Sequence, residues 1–213
     1  MRSFSRLPML LAAAALVLSD SASAQVGRNV GGLLDPNLAT REELSRIPGL
    51  SAGAVAAIEA GRPYLRMSQL HAVIEGQMTE AAADEIYRAL WLHIDLNDVT
   101  DEEILLIPGI GNRMLREFRE YAPYIALAQF EREIAKYVDA TELARLTQYV
   151  YVRIDLNTAP DEAITSIPGI GARMLREFKE YRPYTAMAQF RREMDKYVDA
   201  NEVERMARYV EIR

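Results

Sequence analysis

Asp155-Leu156-Asn157, then Ile167-Pro168-Gly169-Ile170-Gly171, then Glu180-Tyr181-Arg182-Pro183-Tyr184 is the stretch that decides how this chain folds. Its landmarks recur upstream. Asp95-Leu96-Asn97, Ile107-Pro108-Gly109-Ile110-Gly111 and Pro123-Tyr124 stand 60 residues earlier, and Asp35-Pro36-Asn37, Ile47-Pro48-Gly49 and Pro63-Tyr64 another 60 before that. No insertion or deletion is needed. Residues 95–153 and 155–213 agree at 37 of 59 positions, which chance does not produce; the first copy is more divergent. Self-similarity at a fixed period marks a repeat architecture.

The pattern inside a copy predicts an all-α fold: three tandem units over 35–94, 95–154 and 155–213, each about 60 residues with four short helices. In the third copy a first helix is expected from about Thr158. Pro160 would lie in its first turn, where a missing N–H costs little, and Asp161 is placed to close a capping box. In the second copy Thr100 and Glu103 have capping-box spacing. Proline ends this helix at Ile167-Pro168, and the glycines supply backbone shapes that other residues resist. A second helix is expected from about Ala172 to Tyr181, burying Met174 or Leu175 with Phe178. A third carries Phe190, Met194 and Tyr197 at helical spacing, and a fourth turns Val203, Met206 and Tyr209 inward. Tyr149 to Ile154 lead straight into the next Asp-Leu-Asn, so the units are expected to form a rigid or semi-rigid rod.

The N-terminus reads differently. Arg2 and Arg6, the apolar run Met9 to Leu18, and Ala22-Ser23-Ala24 predict a secretory signal peptide over 1–24, cleaved near Ala24, with a loose segment over 25–34. Ten apolar residues are too few to span a bilayer as a helix, so no transmembrane helix is expected in the mature chain. The destination expected is the periplasm or the exterior. With no cysteine, the fold must rest on packing without disulfides. The formal charge is -6, and removing Arg2, Arg6 and Asp20 with the leader makes it -7. Such acidity argues against a general nucleic-acid binder.

The combined Asp-Leu-Asn and Ile-Pro-Gly-Ile-Gly signature resembles the helix-hairpin-helix domain of the competence DNA receptors, the ComEA-like family, here in three tandem copies. The same fold also serves in DNA-repair proteins and in an extrinsic photosystem subunit that does not bind DNA. The resemblance implies that hairpin amides meet a phosphate of duplex DNA, at Gly109, Ile110 and Gly111 and at Gly169, Ile170 and Gly171. It implies help from Arg113 and Arg116 in one copy and Arg173, Arg176 and Lys179 in the other. Amides at a tight turn and a helix start form an anion site, and backbone contacts of this kind carry no base information. By resemblance alone, a monovalent cation near Ile107 or Ile167 is also implied.

The first copy departs from the pattern: its turn is Pro48-Gly49-Leu50-Ser51, and Gly53 and Ala56 stand where the arginines would be. Lys and Arg against Asp and Glu number 5 and 8 in copy one, 7 and 11 in copy two, and 10 and 11 in copy three, so the third is the copy expected to touch DNA. The bland alternative is that the turns merely join close-packed helices, with Arg173–Glu177 and Arg176–Glu180 as i,i+4 surface pairs. The competing function is a non-enzymatic scaffold or adaptor for a periplasmic or membrane-complex protein. Trp91, placed where the other copies have Tyr151 and Glu211, would then be an edge contact or a cover for the join. No enzyme, catalytic residue, metal, cofactor or small-molecule substrate is expected. His71 and His93, the only histidines, read as surface or boundary residues, and Asp95 with Asn97, and Asp155 with Asn157, read as turn hydrogen bonding.

Overall fold

The computed structural model describes residues 26–29, 31–76 and 80–213. The expected signal peptide lies outside the described residues. The chain is mostly helical. In order it runs α1 (Arg41–Ser45), α2 (Ala52–Ala60), α3 (Met67–Glu75) and α4 (Glu80–Tyr87). The second repeat is β1 (Ile94–Asp95), α5 (Asp101–Leu105), α6 (Asn112–Glu120), α7 (Leu127–Ile134), α8 (Ala140–Thr147) and β2 (Val150–Tyr151). The third is β3 (Ile154–Asp155), α9 (Asp161–Thr165), α10 (Ala172–Glu180), α11 (Met187–Met194), α12 (Ala200–Ala207) and β4 (Val210–Glu211). Among the described residues, no helix is long and apolar enough to cross a membrane.

Local chemistry sets these boundaries. Thr40 with Glu43, and Thr100 with Glu103, form reciprocal capping boxes on α1 and α5. The third repeat differs from the expected start at Thr158. There Pro160 is itself the N-cap, and the Thr158 hydroxyl donates to Asp155 Oδ2 at 2.6 Å. Asp139 and Asp199 cap α8 and α12.

The recurring Asp-x-Asn and Pro-Tyr landmarks prove to be two ends of one clasp. Each Asp Oδ1 accepts the amide of the Asn two residues on, at 2.8, 3.0 and 3.2 Å in successive repeats. Each Asn then brackets a tyrosine backbone: Asn97 Nδ2 donates to Tyr124 O and Tyr124 N donates to Asn97 Oδ1, both at 2.7 Å. Asn37 and Tyr64, and Asn157 and Tyr184, repeat it.

Two-residue parallel strands, absent from the sequence expectation, close the second and third repeats. Ile94 pairs with Val150, and Ile154 with Val210. A single parallel bridge between Leu34 and Leu90 does the same for the first.

Packing departs from a rod. The first two repeats share one continuous apolar core that includes Ile58, Leu70, Trp91, Leu92, Phe130 and Tyr149. The third has its own, and takes in Val26 and Tyr151. The chain then doubles back. Arg208 Nη2 donates to His93 O at 2.6 Å, Tyr151 donates to Arg208 O, and Leu38 of the first repeat lies against Gly169 of the third.

The segment expected to be loose is packed where it is described. Val26 is buried, Gly27 N donates to Val150 O at 3.0 Å, and Asn29 brackets Leu33 through both its amide groups. A Cβ on Gly27 would fall 1.6 Å from Thr147 O. Gly27→Ala is therefore expected to displace this segment at a cost of about 1–3 kcal/mol, read as a lowered denaturation midpoint. Unchanged stability would mean that this packing does not hold the segment in place.

His93 is buried, where a surface or boundary position was expected. Burial, helped by the Arg208 charge, pushes its imidazole down to about 3 from an ordinary 6.5. The unfolded chain thus takes up a proton that the folded chain refuses. Stability from this residue is intact above pH 6.5 and falls as pH drops from there toward 3. The loss by pH 5 is on the order of 2 kcal/mol. His93→Leu is expected to flatten that part of the pH–stability curve; an unaltered curve would refute the assignment.

Candidate anion-binding turns

The two Pro-Gly-Ile-Gly segments form tight turns between α5 and α6 and between α9 and α10. Ile107 O accepts from Ile110 N at 3.0 Å, and Ile167 O from Ile170 N at 3.1 Å. Gly109 and Gly169 sit at φ +82° and +80°. That positive φ at the third turn position is the glycine-requiring geometry of a type II turn. One consequence corrects the sequence reading: the Ile110 and Ile170 amides are spent inside the turn, so they are not free donors.

The amides next to them are free. Gly111 and Gly171 are the N-caps of α6 and α10, and neither helix has a side-chain cap. The N–H groups of Gly109, Gly111, Asn112 and Arg113 have no acceptor among the described residues, nor do those of Gly169, Gly171, Ala172 and Arg173. Gly111 and Gly171 are exposed, and a Cβ on either would meet nothing within 4 Å. Unsatisfied amides at a helix start attract anions. The first repeat has filled this place itself, since Ser51 caps α2 by accepting from Ala54 N.

The basic residues divide. Arg113, Arg116, Arg173 and Arg176 are all exposed, and none has an ion-pair partner among the described residues. The surface pairs Arg173–Glu177 and Arg176–Glu180 therefore do not form. Glu177 is buried instead, beside Tyr181 and Tyr197; hydrogen bonding to Tyr181 and Glu177 holds the Tyr197 phenol above its usual range. Arg173 lies over the Tyr197 ring, 5.9 Å from its centroid. Lys179 is not free: its ammonium binds Asp161 at 2.6 Å.

The two turns are not equivalent. Leu38, 41% exposed, brings its Cδ1 within 3.2 Å of where a Gly169 Cβ would be, whereas a Gly109 Cβ would meet only Arg145 Nη2, at 3.7 Å. Ile170 is buried and Ile110 only partly so. The second repeat's turn is the more open, which reverses the preference that charge counts gave to the third.

Sequence reasoning missed two residues here. Arg145 Nη1 donates to Pro108 O at 2.8 Å and Arg205 Nη1 to Pro168 O at 2.6 Å. The Ile107 and Ile167 carbonyls are likewise engaged, by the turn amides. Each of these four carbonyls thus already accepts one protein hydrogen bond.

A cavity of about 220 Å³ opens where Arg66, Asp98, Glu103, Arg153 and Arg208 meet. Its charges are largely matched internally: Arg66 binds Glu103 at 2.7 Å, and Arg153 binds Asp95 at 2.7 Å and Asp98 at 2.8 Å. It works as a charged staple between repeats. No cluster of three or more His, Cys, Asp or Glu among the described residues is arranged to hold a metal ion. No protein-family model, curated protein or solved structure matches the chain.

Proposed function

We propose that the chain is a tandem helix-hairpin-helix protein of the ComEA-like kind that binds duplex DNA weakly and without sequence preference, as an exported protein and in a DNA-uptake role. One observation carries this reading: an exposed, glycine-capped helix start with unpartnered amides beside two unpaired arginines, present in both the second and third repeats. Amides and arginines of this kind recognise phosphate oxygens and leave base edges unread. The acidity of the rest of the chain keeps the affinity low, since non-specific binding grows with the number of phosphates neutralised together.

The test is a duplex titration at two salt concentrations with unrelated sequences. Binding that weakens steeply with salt and is equal for all sequences supports the reading. Absence of binding at low salt removes it. A protein-binding scaffold is the second reading, and Ile125 favours it. This residue is 71% exposed at the rim of a groove of about 130 Å³ between the second and third repeats, shared with Ile154, Ala163 and Arg213.

A further inference from the structure

We infer that Arg145, and Arg205 in the same place one repeat later, are positioning residues of the anion-binding turns, acting through the peptide that joins proline to glycine. The inference rests on the phosphate-binding reading and adds residues to its machinery. Each arginine comes from the last helix of its repeat, where nothing in the sequence ties it to the turn 37 positions earlier. Each is gripped by a glutamate one helical turn before it. Glu142 receives Arg145 Nε at 2.7 Å and Nη2 at 2.6 Å, and Glu202 receives both Arg205 donors at 2.6 Å. The remaining Nη1 is thereby aimed at the proline carbonyl.

That carbonyl belongs to the one peptide whose orientation distinguishes a type II turn from a type I turn. Rotating it would carry the C=O out and the glycine N–H in. A guanidinium on the carbonyl adds to the turn's own preference for the orientation that keeps the Gly109 N–H on the opposite, outer edge. It also polarises the amide, which strengthens the N–H as a donor.

The first repeat separates this role from mere turn formation. Glu85 stands where Arg145 would be and Ala82 where Glu142 would be, yet Gly49 keeps φ at +84°. The turn forms without the arginine. The arginine is present on the two turns that also have a glycine N-cap and arginines without an ion-pair partner, and missing from the one that has neither. Because Glu142 neutralises it, Arg145 adds no net charge to the surface. Its effect should appear in affinity and not in salt dependence.

The experiment uses the full chain with Glu142→Gln and Arg145→Gln together, which leaves net charge unchanged. Duplex affinity is expected to fall about tenfold or more, the scale of one charge-assisted hydrogen bond, with the slope of log affinity against log salt unaltered. In amide NMR spectra, duplex is expected to shift Gly109 and Gly111 in the wild type, and to shift Gly109 less in the double variant. If the double variant does not fold, Arg145→Lys decides: a single ammonium cannot hold carboxylate and carbonyl in that fork, so affinity again falls. Wild-type affinity in the folded variant, or an undiminished Gly109 shift, overturns the inference while leaving the DNA reading in place. A wild type that binds no duplex overturns both.

Discussion

Replacing Trp91 with alanine is expected to destabilise the protein by about 3–5 kcal/mol, the range for removing a fully enclosed aromatic side chain. Trp91 is 0% exposed and serves both sides of the first joint. Its backbone N–H donates to Leu34 O at 2.9 Å, completing the strand pairing that closes the first repeat. Its indole N–H crosses to Tyr149 O of the second repeat, also at 2.9 Å. Tyr87 and Tyr149 meet its ring edge-on, with centroids 5.8 and 5.1 Å away. Such pairs contribute beyond the area they bury. Truncation therefore leaves a cavity in the core that the two repeats share, and Tyr149 O keeps only its bond from Ile94 N, at 3.0 Å. Trp91→Phe retains much of the packing and removes the indole donor, and about 0.5–1.5 kcal/mol is expected from that smaller change, since Tyr149 O still accepts from Ile94 N. Chemical denaturation followed by circular dichroism measures both, since Trp91 is the only tryptophan and its own fluorescence disappears with it. An alanine variant as stable as the wild type would mean that the repeats are joined by something else.

Trp91 also shows where sequence reasoning stops. Its place between repeats was visible as a break in the pattern, but not that its ring would be enclosed. Local signals were legible because they act over three or four residues. The Thr100 and Glu103 capping spacing, the Pro-Gly turn and the Asp95 to Asn97 hydrogen bond all lie within one turn of chain. The clasp between Asn97 and Tyr124 was present as two landmarks at a constant distance, and the constancy was the available clue. Other features had no local trace. Glu142 and Arg145, three apart, look like any helix-surface pair, and only the folded chain brings the guanidinium to Pro108. Leu38 carries no mark of its approach to Gly169. The rod expectation failed for the same reason: short joins limit how far repeats separate, but not the angle at which they meet.

The second large effect is functional. Arg113→Gln with Arg116→Gln is expected to lower duplex affinity about tenfold or more near 0.1 M salt, and to reduce the slope of log affinity against log salt by about 1.8, or 0.9 for each phosphate that is no longer neutralised. Both side chains are exposed and unpaired on the first turns of α6. Their removal leaves no buried charge and breaks no ion pair, so stability should move by less than about 0.5 kcal/mol. The drop in affinity should be the same for every duplex sequence, because contacts to phosphate carry no base information. Arg173→Gln with Arg176→Gln is expected to cost less. Leu38 stands against that turn and limits how closely a phosphate backbone can approach Gly169, and Arg173 is already engaged over Tyr197. The control is Arg88→Gln with Arg132→Gln, which removes the same formal charge from exposed positions remote in sequence from either turn. If the control weakens binding as much as the α6 pair, attraction is a property of the whole surface and the turns are not the site. If the α6 pair alone flattens the salt dependence, the phosphate lies against the start of that helix, where Gly111 leaves the amides uncovered.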